Sequence, residues 1–310
     1  MILSVTIPFF ALILFGFIAA RFRWVPTEAV PAFNGFLLYF AVPAMLFRFA
    51  ANTPFAEIAN FGFFAAWGLA GASVVVLVTV VAKRFLHLGY RDAAFFGLAG
   101  AVSNAGYLGV PMLVALLGER AAAPVILAIV ADLIVVASVG LALAEMGGPT
   151  GRGWKDDLRD ALLRIFLNPF VIGMALGAAF SGFQWKLATP LAEIVKLLAD
   201  AAGPCALFAI GVSLVRPDAP TRSPSLALPT AAKLLLHPLI VWLAMLAFGV
   251  DEFTTRVAVL AAALPSAGWV FIFATRYEAD AGRVSAIILV TTALAFITFS
   301  TLVWMMGIGG

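Results

Sequence analysis

The sequence predicts an all-α polytopic membrane protein with ten transmembrane helices arranged as two inverted five-helix repeats. Its composition, its apolar runs and an internal repeat lead to this prediction. Of the 310 residues, 64% are hydrophobic and only 11% are charged, whereas a soluble domain carries roughly 25% charged residues. The composition excludes disordered, collagen-like and coiled-coil chains, and the single cysteine, Cys205, cannot form an internal disulfide. The net charge of +3 fits basic cytoplasmic loops better than nucleic-acid binding.

Ten apolar runs have the roughly 20 residues that a membrane-spanning helix needs. The first is not preceded by a positive charge, so we expect a retained helix and not a signal peptide. The first repeat covers 1–144, a short connector covers 145–163, and the second repeat covers 164–310. The ten spans lie at about 2–20, 31–50, 61–82, 93–117, 121–144, 164–181, 190–215, 226–248, 254–275 and 283–305.

Lys and Arg are distributed unevenly between the two sides of these spans. Counted in the loops together with the adjoining parts of the spans, the side after spans one, three, five, seven and nine holds 13 of them, and the opposite side holds 5. Because cytoplasmic loops carry the excess of basic residues, we expect the connector in the cytoplasm and both termini outside, which is the periplasm for a bacterial inner-membrane protein.

A shift of 161 positions superimposes sparse residue types on one another, which indicates an internal repeat. Each copy would hold five spans, an odd number, so the second copy would enter the membrane upside down. Inverted repeats are typical of secondary transporters that alternate access around a midplane site. The matches include Pro8-Phe9 with Pro169-Phe170, Gly16 with Gly177, Trp24 with Trp185, Pro43 with Pro204 and, one residue later, Ala105-Gly106-Tyr107 with Ala267-Gly268-Trp269.

Spans four and nine each contain glycine and proline near their middle, which predicts two broken helices. Corresponding breaks in the two repeats are the best sequence pointer to a binding site, although each could also be a proline kink without a ligand. The candidate substrate-binding residues are Asn104, Gly106, Gly109, Pro111, Pro265, Ser266 and Gly268.

The stretch from Asn104 to Pro111, Asn-Ala-Gly-Tyr-Leu-Gly-Val-Pro, resembles the Asn-x-Gly-x-x-Gly-x-Pro signature of the auxin efflux carrier family. That family includes plant auxin exporters and bacterial carriers of malonate or other dicarboxylates. The resemblance extends over essentially the whole chain. It implies a crossover fold in which spans one, two, six and seven form a scaffold and the other six form a mobile transport domain. The short connector fits the bacterial branch, because plant members have a long hydrophilic loop there.

Five ionisable residues lie within spans, where such groups usually have a function. Asp132 and Lys233 are expected to flank the breaks and either to couple transport or to compensate helix-end charges. His237 either titrates or satisfies a local backbone carbonyl. Lys196 and Asp200 are an i,i+4 pair that neutralise each other at a scaffold or dimer contact, unless Asp200 faces the substrate cavity and couples protons.

These features predict a secondary active transporter of a small organic anion, malonate- or auxin-like, that alternates access by an elevator-type movement and could be proton-coupled. The alternatives are a sodium-coupled bile-acid-type carrier and a non-transporting membrane sensor. Motifs for nucleotide hydrolysis, metal binding and nucleophilic catalysis are missing from the sequence. We therefore expect no enzyme, no cofactor and no metal site. The expected partners are the anion, the lipid bilayer and a second copy bound through the scaffold helices, and not a nucleic acid.

Overall fold

The structure is a computed structural model that describes residues 2–52, 54, 60–146, 169–213, 215 and 223–308. Within these residues every regular element is a helix. Six helices are long and apolar enough to cross a membrane, namely α2, α3, α6, α8, α9 and α12, so the chain is a multi-pass helical membrane protein. The helices are α1 Ile2–Arg21, α2 Thr27–Asn52, α3 Phe61–Phe85, α4 Tyr90–Ala101, α5 Ala105–Leu117, α6 Glu119–Glu145, α7 Pro169–Gly182, α8 Thr189–Ser213, α9 Pro224–Ala247, α10 Glu252–Ala262, α11 Trp269–Arg276 and α12 Ala281–Met305.

Predicted spans four and nine are each divided into two helices, α4 with α5 and α10 with α11. The first interruption is only Val102–Asn104, which corrects the expectation that Gly106, Gly109 and Pro111 themselves break the helix. Gly106 and Gly109 lie in the π-helical turn Ala105–Gly109 that opens α5, and Pro111 follows this turn by two residues. Residues 147–163 of the connector and 164–168 of span six lie outside the described residues.

Four helices contain a π-helical turn, and the sequence explains where these turns lie. The turns Leu37–Ala41, Ala105–Gly109 and Ala232–Leu236 each end two residues before a proline. Proline donates no backbone hydrogen bond, so the regular ladder is disturbed just before it. In the fourth turn, Asp132–Val136, the Ser138 hydroxyl donates to the Ile134 carbonyl at 2.6 Å. Two of these turns contain the charged residues Asp132 and Lys233.

Glycines allow two helix pairs to pack with their backbones in contact. A Cβ on Gly16 of α1 would overlap the Phe208 carbonyl of α8, and a Cβ on Gly177 of α7 would overlap the Phe47 carbonyl of α2. Small residues permit such close approach between membrane helices. Because Gly16 and Phe47 lie 161 positions before Gly177 and Phe208, the shift found in the sequence interchanges the two contacts.

The turns that follow α1 and α7 have the same local structure. Arg23 and Gln184, 161 positions apart, have left-handed φ angles of 60° and 54°. In both turns the residue after the left-handed one donates its amide to the carbonyl five residues earlier, at 2.8 and 2.9 Å. Each turn also carries a stacked aromatic pair: Phe22 with Trp24 in the first, and Phe183 with Trp185 in the second.

Candidate functional site

The two helix interruptions lie against each other. The Asn104 amide donates to the Pro265 carbonyl at 2.9 Å, and the Ala267 amide donates to the Val102 carbonyl at 3.1 Å. Ser103 and Ser266 are opposite each other as an isolated antiparallel bridge. Non-helical backbone within a membrane protein must find internal partners, and here each interruption supplies them to the other.

Lys233 of α9 is fully buried next to this crossing point. Its ammonium group donates to the Ser103 hydroxyl at 2.9 Å and to the carbonyl of Ala262, the last residue of α10. A helix C-terminus carries a partial negative charge. The ammonium group is therefore placed where it compensates the end of α10.

His237, one turn after Lys233, is also fully buried. Its Nδ1 lies 3.1 Å from Lys233 Nζ. An ammonium group can only donate, so Nδ1 accepts and the ring proton is assigned to Nε2. The edge of the imidazole meets the indole of Trp67 at a centroid distance of 5.6 Å, which links α9 to α3.

Asp132 of α6 is 2% exposed, and only one of its two carboxylate oxygens accepts a hydrogen bond from the described residues. Its Oδ1 accepts from Trp67 Nε1–H at 2.8 Å. Its Oδ2 is buried and has no hydrogen-bond partner among the described residues. The carboxylate and the Lys233 ammonium are not paired within 4.0 Å in the described part of the chain. The indole of Trp67 and the ring of His237 connect them instead.

A small cavity lies between the interruptions, α5, α6 and α7. Its volume is about 20 Å³, which is space for about one water molecule and too little for a dicarboxylate. Its polar lining is Ser103, Asn104 and Asp132, and its aromatic lining is Tyr107, Phe170 and Trp269, with Gly106, Ile129, Leu133 and Ala267 completing the wall.

The cavity borders the beginning of α5, where backbone amides are open. The Asn104 carbonyl accepts from the amides of Leu108 and Gly109 at 3.1 Å each, while the amides of the three residues before Leu108 precede the regular helical ladder. The side-chain amide of Asn104 has no hydrogen bond within the described residues and lines the same cavity. A helix N-terminus with open amides favours an anion.

The other residues predicted for the break hold it together instead of lining the cavity. The Ser266 hydroxyl donates to the Ala99 carbonyl, and the Ser266 amide donates to Thr291 Oγ1 at 3.2 Å. Pro265 supplies the carbonyl bound by Asn104, and Gly268 connects two lining residues. A Cβ on Gly109 would lie 2.9 Å from Leu264 Cδ1, so this glycine lets α5 approach the second interruption. Pro111 faces Gly203 of α8.

Asp200 and Lys196 are not paired with each other as the sequence suggested. Asp200 Oδ1 forms an ion pair with Arg48 Nη1 of α2 at 2.6 Å, and Lys196 lies 4.0 Å from Glu193. The Asp200 side chain is 56% exposed, and neither residue lines the cavity. The pair therefore joins α2 to α8 away from the crossing point.

Sequence reasoning missed the aromatic side chains of the site. Trp67, Tyr107, Phe170 and Trp269 were not singled out, because aromatic residues are ordinary in apolar helices. A signal existed for Trp67, because it lies more than one turn inside a span, where the N–H of a tryptophan needs a buried acceptor. Tyr107 and Trp269 also occupy matching positions in the proposed repeat.

Comparison of the sequence with known proteins shows the family of the chain. The model of the membrane transport protein family matches residues 1–150 and 157–305. The chain belongs to this family. It is the auxin efflux carrier family that the sequence resembles, so that resemblance is confirmed.

Individual relatives match over most of their lengths. A Rhizobium meliloti protein named "Putative malonate transporter" is 32% identical over 99% of this chain and 97% of its own. The Escherichia coli K12 "Uncharacterized transporter YfdV" is 25% identical over 88% and 87%. An "Uncharacterized transporter" of Methanothermobacter thermautotrophicus is 23% identical over 93% and 92%.

Proposed function

We propose that this protein is a secondary active transporter of a small organic anion, a carboxylate or dicarboxylate of about the size of malonate. The observation that carries the proposal is the cavity at the two joined interruptions. Around it lie open α5 amides, the free amide of Asn104 and one unbound oxygen of Asp132. The name of the Rhizobium relative agrees with this substrate class.

In this proposal the chain has ten spans in two inverted repeats, with both termini in the periplasm of a bacterial inner membrane. The matching turns after α1 and α7 and the interchanged contacts of Gly16 and Gly177 support the repeat. Spans one, two, six and seven, which are α1, α2, α7 and α8, form the scaffold. The remaining helices form a transport domain that moves in elevator fashion. A cavity that holds about one water corresponds to a closed site, which must open before the anion enters.

Neutral hydrogen-bond donors would hold the anion. The α5 amides and Asn104 would hold one carboxylate, and Lys233 would stay on the carbonyl of Ala262. An anion and an ionised Asp132 would repel each other in a low-dielectric cavity. We therefore propose that a proton enters with the anion and neutralises Asp132.

Substituting Asn104 tests the binding site. Asn104→Ala should weaken malonate binding by about 1–3 kcal/mol, the usual cost of leaving a buried polar group without its partner, with little change in melting temperature. Isothermal titration of purified protein measures this. The matched control is Asn34→Ala in α2, which does not line the cavity and should bind normally.

Unchanged binding in Asn104→Ala together with a collapse of stability would mean that Asn104 only supports the interrupted backbone. Malonate uptake that requires sodium would favour a bile-acid-type carrier. Binding without flux in proteoliposomes would favour a sensor.

A further inference from the structure

Phe170 is the one cavity-lining residue of the described chain that comes from the four proposed scaffold helices. The other lining residues belong to α5, α6, α11 and the two interruptions. Phe170 is 8% exposed. Its ring meets the ring of Tyr107 edge-on at a centroid distance of 5.9 Å.

Phe170 also covers the start of α5. A Cβ built on Gly106 would lie 3.6 Å from Phe170 Cε2, so the phenyl ring packs against the second residue of α5. Together with its contact on Tyr107, this position places the ring over the α5 side of the cavity.

The helix that carries Phe170 is fixed against its neighbour. Gly173 and Gly177 of α7 pack directly on the α2 backbone, and Phe180 of α7 meets Phe47 of α2 at a centroid distance of 5.2 Å. Phe170 is therefore held by the scaffold, whereas Tyr107 belongs to the part that would move past it.

We propose that Phe170 is the gate of this state and that it closes the site by packing on Tyr107. The inference rests on the proposed alternating access, and it adds to it the pair of residues that keeps the anion out of the cavity in this state.

Cross-linking tests the gate. The single native cysteine is first removed by Cys205→Ser. The pair Tyr107→Cys and Phe170→Cys is then introduced into the full-length protein in lipid vesicles, and a short bifunctional thiol reagent is added. The pair Phe47→Cys and Phe180→Cys gives the matched control, because both residues lie on scaffold helices and their bridge should leave transport intact.

We expect the gate pair to cross-link and the bridge to abolish malonate flux, while each single-cysteine variant transports. Flux through molecules bridged between positions 107 and 170 would overturn the proposal, and so would failure of this pair to cross-link. If the cysteine-free parent carries no organic anion at all, the proposed function fails instead. A cysteine at the cavity wall, Ile129→Cys, then decides on the gate, because a charged thiol reagent added after cross-linking should label it in unbridged molecules and not in bridged ones.

Discussion

Trp67 joins the two halves of the buried polar network. Its indole N–H binds Asp132 and its ring meets His237, which in turn contacts Lys233. The network thus connects α3, α6 and α9 to the first interruption through Ser103 and to the end of α10 through Ala262. A buried polar network is most stable when each member has its partners, and only the free oxygen of Asp132 and Nε2 of His237 lack them among the described residues of this network.

Replacing Trp67 with phenylalanine should separate hydrogen bonding from packing. Trp67→Phe keeps an aromatic ring against Phe63 and His237 but leaves Asp132 Oδ1 without its donor. We expect a loss of about 1–3 kcal/mol of stability, seen as a lower melting temperature in detergent. Trp304→Phe is the control, because Trp304 is 71% exposed and its removal should change little. Equal melting temperatures for the two variants would contradict a structural role for the indole N–H.

The charged residues of the site could be found from the sequence and their partners could not. Asp132, Lys233 and His237 stand out because an ionisable group in an apolar run is costly. The partner of Asp132 is 65 positions away, and the partner of Asp200 is 152 positions away. Such pairings depend on helix packing. The i,i+4 spacing therefore predicted Lys196 as the partner of Asp200, whereas the structure pairs Asp200 with Arg48.

At the scale of helices, the breaks were predictable because glycine and proline weaken a helix, but their exact position was not. The helix resumes at Ala105, before Gly106, and a π-helical turn from Ala105 to Gly109 leads into Pro111. The glycines there serve close packing instead, and which surface they touch is a property of the tertiary fold.

The close contact of α1 with α8 should be intolerant of a single methyl group. A Cβ at Gly211 would overlap the Ile13 carbonyl, and backbone cannot move aside as a flexible side chain can. Gly211→Ala should therefore separate the two helices and lower the melting temperature markedly. Gly35→Ala in α2 meets no atom within 4 Å and should be neutral or slightly stabilising, because alanine favours a helix by about 1 kcal/mol over glycine. Similar thermal melts for the two variants would exclude backbone contact at Gly211.

The start of α10 should show a pH-dependent cap. The Asp251 carboxylate accepts from the Thr254 amide at 3.0 Å. Partial burial acts to raise the pKa of Asp251, but hydrogen bonds from Thr254 and Phe253 outweigh it and lower the pKa. Because the folded pKa is depressed, the stabilisation is present above the ordinary carboxyl range and is lost as pH falls through the folded pKa.

Asp251→Ala should cost about 1 kcal/mol at neutral pH and less in acid, as measured by thermal melting across pH. Asp251→Asn keeps the acceptor and should retain most of the stability without that pH dependence. A constant difference between Asp251→Ala and the parent at all pH values would argue against the cap.

For the whole molecule, the proposed repeat is supported by sparse sequence matches and by the matching turns after α1 and α7. Arg23 and Gln184 differ in chemistry yet share a left-handed conformation, so the turn is set by its surroundings and not by residue type. Sequence comparison alone gave no sign of that match, because it compares identities and not backbone angles.

Assays of the complete transport cycle distinguish proton coupling at Asp132 from simple charge compensation. The asparagine side chain of Asp132→Asn permanently imitates the protonated acid, and its amide oxygen can still accept a hydrogen bond from the indole N–H of Trp67. If a proton accompanies the anion through Asp132, exchange of labelled for unlabelled malonate should persist, because exchange needs no net change in protonation. Accumulation driven by a pH gradient should disappear.

Proteoliposomes with separate exchange and gradient assays measure both, and Asp200→Asn is the control because that carboxylate is bound to Arg48 outside the cavity. Gradient-driven accumulation that survives in Asp132→Asn would remove Asp132 from coupling. If gradient-driven accumulation were lost in Asp200→Asn instead, the coupling proton would belong to the ion pair of Arg48 and Asp200 between α2 and α8.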